Sequence, residues 1–171
     1  MRAPIRLLCC LSLAALLTPV RPFGSASAAQ ASIIPSATSG PAPAFDPKRD
    51  ASEDIQVAIA EAQRTHKRIL LYVGGDWCVY CAELKALFQA HPDLADLRNQ
   101  RFVTVHVFYD HENHNSKALA PYGQFVGIPH FFVLDSNGRL LHSEHLVDLR
   151  ENGRYDAARM RAFLELWAAH P

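Results

Sequence analysis

The stretch Asp76-Trp77-Cys78-Val79-Tyr80-Cys81 lies between an apolar run and a helical pattern. The apolar run, Arg68 to Gly74, predicts a buried strand, and the residues from Cys78 to Ala90 predict an amphipathic helix. Unpaired N–H groups at a helix N-terminus carry a partial positive charge, which stabilises a thiolate at the first cysteine. The second cysteine lies about one helical turn further along, close enough to attack a mixed disulfide at the first.

The first 28 residues predict a secretory signal peptide. Arg2 and Arg6 give it a positive start, Leu7 to Leu17 forms an apolar core, and Ala26-Ser27-Ala28 is a small-residue cleavage pattern. The core is too short for an ordinary transmembrane helix. Cleavage a few residues later and retention as an uncleaved anchor both stay open. The pattern predicts export, most simply to a bacterial periplasm.

Removal of the signal peptide also removes Cys9 and Cys10, so the mature chain keeps only Cys78 and Cys81. A structural zinc site would need two further ligands from a second pair. A structural disulfide across so short a loop would remove little chain entropy. The pattern therefore favours a redox pair over both alternatives, and we predict no metal at these cysteines.

The rest of the chain predicts a linker followed by one domain. Residues 29–49 are rich in Ala, Ser and Pro, which predicts a flexible linker. Residues 50–171 form the predicted domain, and its first helix opens at a capping box of Asp50 and Glu53. The later predicted elements are a helical turn over 93–99, a strand over 102–108, a helix over 117–125, strands over 131–134 and 139–143, a loop over 148–153, and a helix over 155–169. The apolar face of this last helix is predicted to consist of Ala158, Phe163, Leu166 and Trp167. This order predicts an α/β sandwich with a central mixed sheet.

Composition and missing motifs exclude several functions. The 171 residues carry a formal net charge of zero, so no basic field suggests nucleic acid as a partner. No Gly-rich phosphate loop, nucleotide fingerprint or Ser-His-Asp arrangement is present, and we predict no cofactor. A group of polar residues could resemble a metal cluster, but a solvated loop is the favoured interpretation. That group is His106, Asp110, His111, Glu112 and His114.

The sequence resembles the thioredoxin-fold family over residues 50–171. Three features agree in order: Trp77 to Cys81 after a strand, Gly127-Ile128-Pro129 before a later strand, and the Asn137-Gly138-Arg139 hairpin before a C-terminal helix. Tyr122-Gly123 also matches the family pattern. The residues of the cysteine motif are especially similar to those in the periplasmic C-terminal domain of the disulfide reductase DsbD. The resemblance implies a three-layer α/β/α sandwich.

The resemblance also implies a role for each motif residue. Cys78 would be the exposed nucleophile and Cys81 the resolving thiol, so both would be catalytic. Four residues would form the substrate-binding surface. They are Trp77 beside the sulfurs, Tyr80 in the active-site loop, and Ile128 and Pro129, where Pro129 would be a cis-proline. An extended substrate segment would pair with the Ile128 backbone by strand addition.

Two departures from the family bear on chemistry. The family often has a buried acid six residues before the first cysteine, and that position is Tyr72 here. Another group must then accept the proton of the resolving thiol, and Glu83, Asp76 and water are the candidates. The pair Val79-Tyr80 matches neither thioredoxin nor the oxidant DsbA, so the direction of electron flow stays open. His130 follows Pro129 and could face the thiols or the opposite side.

These observations predict an exported, monomeric protein-disulfide reductase. Its partners would be a protein or small-molecule disulfide and a membrane thiol reductant that recharges the cysteine pair. Two alternatives remain open: a thiol oxidant or isomerase of the same fold, and a thioredoxin-like binding module without catalysis.

Overall fold

The computed structural model describes residues 44–169. The predicted signal peptide, with Cys9 and Cys10, and residues 29–43 of the predicted linker lie outside the described residues. Within the described part, no helix combines the length and the apolar character needed to cross a membrane.

A four-stranded mixed sheet forms the centre of the domain. Its strands are β1 (Arg68–Gly74), β2 (Phe102–Phe108), β3 (His130–Leu134) and β4 (Leu140–His145). The spatial order is β2-β1-β3-β4, in which β2 runs parallel to β1 and the other two neighbouring pairs are antiparallel. The central strands β1 and β3 are buried on both faces, which explains their continuous apolar sequence.

One face of the sheet is covered by the first helix, α1 (Ala51–Thr65). The carboxylate of Asp50 caps it by accepting hydrogen bonds from the N–H groups of Ser52 and Glu53. Its buried face packs over alternate β1 and β3 residues, including Leu71 and Phe132. That buried face consists of Ala51, Ile55, Ala58 and Ala62.

Three helices cover the opposite face. They are α2 (Val79–Ala90), α3 (Pro92–Arg101) and the C-terminal helix, whose bounds are given below. Leu84 and Phe88 of α2 pack there with Tyr72 and Phe131 from the sheet. The three-layer α/β/α sandwich and its mixed sheet are therefore confirmed. The segment after His91 is a full helix rather than the predicted turn, because Pro92 is accommodated in the first turn.

The predicted helix over 117–125 is wrong in extent. The structure has a single helical turn, α4 (Ser116–Leu119), followed by a 3-10 turn over Ala120–Tyr122. Pro121 lacks an N–H and cannot continue an α-helix, and Gly123 leaves the helical region with φ +83°.

The predicted loop over 148–153 is a small folded unit instead. A 3-10 turn over Leu146–Leu149 leads into the two-stranded hairpin of β5 (Arg150–Glu151) and β6 (Arg154–Tyr155). Such short strands carry no alternating pattern, so periodicity could not indicate them.

The C-terminal helix, α5 (Ala157–Trp167), begins two residues later than predicted because the Asp156 carboxylate caps it through the Arg159 N–H. Its inner face was also partly mispredicted. Phe163 is buried as expected, but Leu166 is 67% exposed, and the neighbouring Leu164 is buried in its place. The buried face is formed by Met160, Phe163 and Leu164.

Phe45 corrects the start of the packed region. The ring lies within the predicted flexible linker, yet it is 4% exposed and packs edge-on against the rings of Tyr72 and His106. A single aromatic residue in a Pro-rich stretch gives no periodic signal, so the sequence could not reveal this contact. The packed domain therefore includes at least one residue before Asp50.

Candidate functional site

The two cysteines lie where β1 passes into α2. The Cys78 N–H donates a hydrogen bond to the Gly75 carbonyl at 3.1 Å, which closes the turn after the strand. Cys78 is the N-cap residue of α2, and its sulfur accepts a hydrogen bond from the Cys81 N–H at 3.3 Å. A negatively charged sulfur at this position would keep that donor and gain from the positive end of the helix.

Both cysteines are free thiols, and both are buried. Cys78 is 5% exposed and Cys81 is 3% exposed, so the implied exposure of Cys78 is wrong. The reason is the loop before β3, since the Cys78 sulfur lies 4.0 Å from the Ile128 carbonyl oxygen. Burial is also the main reason why the pKa of Cys81 is raised to about 12, and the adjacent Cys78 adds to the effect.

Pro129 completes this loop against the thiols. The Ile128–Pro129 peptide bond is cis, as the resemblance implies, and Pro129 is buried. Ile128 is half-buried and packs against the apolar clusters on both faces of the sheet. The loop therefore brings a backbone carbonyl next to the first cysteine.

Four exposed apolar side chains, which we call the apolar rim, border the cysteines in the motif and in the loop before β3. Trp77 is 59% exposed and Tyr80 is 52% exposed, which agrees with the surface position expected of both side chains. Val79, between the two cysteines, and Val126, two residues before Ile128, are exposed as well. Exposed apolar groups gathered at one place are typical of a surface that binds other proteins.

Tyr72 occupies the position where the family often has a buried acid. Its hydroxyl donates a hydrogen bond to the Cys81 carbonyl oxygen at 3.4 Å. Burial raises the pKa of Tyr72 well above its usual range, with neighbouring Cys81 as a smaller cause. The phenol therefore stays neutral and is not a base for the Cys81 thiol.

The two candidate acids differ in their surroundings. Glu83 forms a salt bridge with Arg150 at 2.8 Å and also accepts the Tyr155 N–H, so its carboxylate is already occupied. Asp76 instead lines a cavity that also reaches Cys81. Of the two, only Asp76 shares an open space with the second cysteine.

Arg150 is a site residue that sequence reasoning missed. Its guanidinium lies between the rings of Tyr80 and Tyr155, at 4.6 and 4.9 Å from their centres. Together with the Glu83 salt bridge, these contacts fasten the hairpin to the first turn of α2. Arg150 follows Glu83 by 67 residues, and no local motif links the two.

His130 lies on the opposite face of the sheet from the cysteines. His130 packs with Phe125 and Phe132 on the α1 side of the sheet, whereas the cysteines lie on the other side. Its Nε2 pairs with the Ser143 hydroxyl at 2.8 Å. Within residues 44–169, no three His, Cys, Asp or Glu side chains are arranged to hold a metal ion.

Comparison with known proteins identifies the family. The model of the thioredoxin-like family matches residues 50–136, just over half of the 171 residues. The chain therefore belongs to the thioredoxin-like family. No curated protein matches the sequence significantly.

Several solved structures are similar to this chain. A disulphide isomerase from Xylella fastidiosa Temecula1 is 24% identical, with a TM-score of 0.63 over 76% of this chain and 98% of its own. A redox protein from Chlamydomonas reinhardtii is 18% identical, with a TM-score of 0.50 over 70% of this chain and 34% of its own. The oxidised C-terminal domain of Neisseria meningitidis DsbD is 20% identical, with a TM-score of 0.49 over 66% and 90% of the two chains. At identities below 25%, the likeness to the first two structures concerns the fold alone.

Proposed function

We propose that this protein is an exported thiol–disulfide oxidoreductase that reduces substrate disulfides through Cys78 and Cys81. One observation carries the proposal: two free thiols meet at the start of α2, and the Cys81 N–H donates to the Cys78 sulfur. The cis-proline loop that faces this sulfur supplies the second wall of the site.

The first step is attack on the substrate. The Cys78 thiolate attacks one sulfur of a substrate disulfide, so that a Cys78–substrate bond forms and the substrate S–S bond breaks. The second substrate sulfur leaves as a thiolate and takes up a proton. Because Cys78 is buried, the substrate has to enter between the apolar rim and the Pro129 loop, where the Ile128 backbone can pair with an extended segment.

The second step releases the product. Cys81 loses its proton and attacks the Cys78 sulfur, which frees the remaining substrate thiol and leaves a Cys78–Cys81 disulfide. The substrate gains two electrons and the protein loses two. Since Tyr72 is neutral and Glu83 is engaged by Arg150, we assign the proton of Cys81 to water in the cavity that Asp76 shares. A membrane thiol reductant then returns two electrons to the pair.

The reduction potential of the Cys78/Cys81 pair tests the direction of electron flow. Equilibration with glutathione or dithiothreitol buffers should give a value near thioredoxin's, about −270 mV. A value near DsbA's, about −120 mV, would instead make the protein an oxidant or isomerase. The absence of any reversible couple would favour a binding module without catalysis.

Cysteine variants test the assigned roles. Cys78→Ser should abolish reduction of insulin disulfides, because the attacking sulfur is lost. Cys81→Ser should stop turnover while accumulating mixed disulfides through Cys78, which gel analysis without reductant detects. Circular dichroism would verify that both variants fold. Full activity in both would contradict the enzymatic proposal.

The proposed export rests on the pattern of residues 1–28. Expression of the whole chain in a Gram-negative bacterium, followed by cell fractionation and N-terminal sequencing, would test it. We expect a periplasmic product that begins near Ala29. A cytoplasmic product that retains Met1 would contradict export without affecting the redox proposal.

A further inference from the structure

A cavity of about 630 Å³ lies between α2, α3 and the sheet, and it reaches Cys81. Aromatic side chains from three parts of the chain form its apolar walls: Phe45, Tyr72 and Phe88. Cavities of this size, with apolar walls and a few convergent polar groups, are typical of sites for small molecules. Cys81 lines this cavity, whereas Cys78, Ile128 and Pro129 do not.

Two cationic side chains and one acidic side chain line this cavity. Arg98 and Lys85 line it and form no salt bridge within residues 44–169, and neither does the single acid, Asp76. Burial lowers the pKa of His106, which also lines the cavity, to about 4, so its imidazole is neutral near pH 7. The wall therefore carries one more positive than negative charge.

Arg98 is held in a position suited to an anion. Its guanidinium lies 4.4 Å from the centre of the Phe88 ring, and its hydrogen bonds within the described part of the chain go only to the Asn99 side chain. Burial lowers the pKa of Arg98, because removal from water disfavours its charged form. A partly buried cation gains most from a charge-assisted hydrogen bond to an anion.

We propose that this cavity binds a small organic acid. The apolar body of the ligand would lie against Phe45 and Phe88, and its anionic group would bind Arg98 and Lys85. Cys81 forms part of the wall, so an occupied cavity would shield the second cysteine. The binding itself does not depend on the proposed reductase activity.

Titration with anilinonaphthalene sulfonate tests the proposal, because this probe combines an aromatic body with one anionic group. We expect one saturable site by fluorescence on the full chain. Arg98→Met should raise the Kd about tenfold and Lys85→Met about fivefold, since each removes a charge-assisted contact. Arg101→Met is the matched control: this exposed arginine on the same helix is outside the cavity wall and should leave the Kd unchanged.

Gln89→Trp provides a second test in case Arg98→Met fails to fold. Gln89 is an exposed residue of the cavity wall, so a large ring there should block the site while both cations remain. We expect loss of probe binding with an unchanged melting temperature. If the cavity variants bind the probe normally and Trp77→Ser weakens binding, the probe occupies the exposed rim and the proposal is overturned.

Alkylation of Cys81 provides an independent readout that requires no catalysis. In the Cys78→Ser variant, saturating probe should slow the reaction of Cys81 with N-ethylmaleimide by about tenfold. Unchanged alkylation at saturation would place the probe away from Cys81 and contradict the proposal. Because this variant has no redox cycle, the result is separable from success or failure of the reductase assays.

Discussion

The guanidinium carbon of Arg150 lies 4.6 Å from the centre of the Tyr80 ring. Tyr80 belongs to the cysteine motif, and Arg150 belongs to the small hairpin near the C-terminus. The same guanidinium pairs with Glu83 at 2.8 Å, so one side chain connects the hairpin to the start of α2. The hairpin therefore supports the segment that carries both cysteines.

Arg150→Met should lower the free energy of unfolding by about 1–2 kcal/mol, because it removes a mostly buried ion pair and two cation–π contacts. Urea denaturation would measure the change. Arg159→Met is the matched control, since its ion pair with Glu151 is about half exposed and should contribute under about 0.5 kcal/mol. Equal effects of the two substitutions would contradict a special role for Arg150.

Much of the fold could be predicted from sequence because its central elements have strong local signals. The strands Arg68–Gly74 and Phe102–Phe108 have the bounds that their apolar patterns predict. The hairpin of Arg150 to Tyr155 could not be predicted, because its strands have two residues each and depend on distant partners. Phe45 was missed for the same reason, since its ring is ordered by contacts with β1 and β2.

In the candidate site, too, the features that depend on local sequence could be predicted and those that depend on distant residues could not. Spacing and context place Cys78 and Cys81 at the start of a helix, and this position needs only local sequence. The burial of Cys78 depends on Ile128, which is 50 residues away and approaches only after the sheet has formed. Arg98 belongs to no motif, and its place in the cavity wall depends on the packing of α3 beside the Phe88 ring.

Gly74 packs closely against the side chain of Cys81, and a substitution there tests this contact. A Cβ at Gly74 would lie 2.7 Å from the Cys81 sulfur and 3.1 Å from Cζ of Phe45, both of which are buried. Gly74→Ala should therefore reduce the free energy of unfolding by about 1–3 kcal/mol in a urea titration.

Gly75→Ala is the control for this packing effect. A Cβ there would lie 2.5 Å from Nε1 of Trp77, but that exposed indole can rotate away. We expect a loss of less than about 1 kcal/mol. A larger effect at Gly75 than at Gly74 would show that the turn itself, rather than contact with Cys81, limits the size of these residues.

Two leucines on α5 test its corrected orientation. Leu164 is fully buried, whereas Leu166 is mostly exposed. Leu164→Ala should cost about 2–5 kcal/mol, and Leu166→Ala should change stability by less than about 0.5 kcal/mol. Denaturant unfolding of both variants measures the difference. Similar losses of stability in both variants would contradict the structure and support the sequence-based prediction that Leu166 faces the core.

His106 and His130 should make the protein sensitive to mild acid. Burial is the main reason why the pKa of each imidazole is lowered to about 4, from an ordinary value near 6.5. As the pH falls from 6.5 towards 4, the unfolded chain binds protons that the folded chain does not. The free energy of unfolding should therefore be fully retained above pH 6.5 and decline below it, by at most about 1.4 kcal/mol per pH unit for each imidazole.

His106→Phe isolates this effect from the titration of carboxylates. The phenylalanine ring should keep the packing of His106 against Phe45 and Tyr72, and the substitution removes the titrating imidazole. Urea unfolding at pH 7 and at pH 5 should then show a smaller loss of stability than in the parent protein. His111→Phe, an exposed loop substitution, is the control and should leave the parent's acid dependence in place. If His106→Phe and His111→Phe give the same acid dependence, burial of His106 is not its cause.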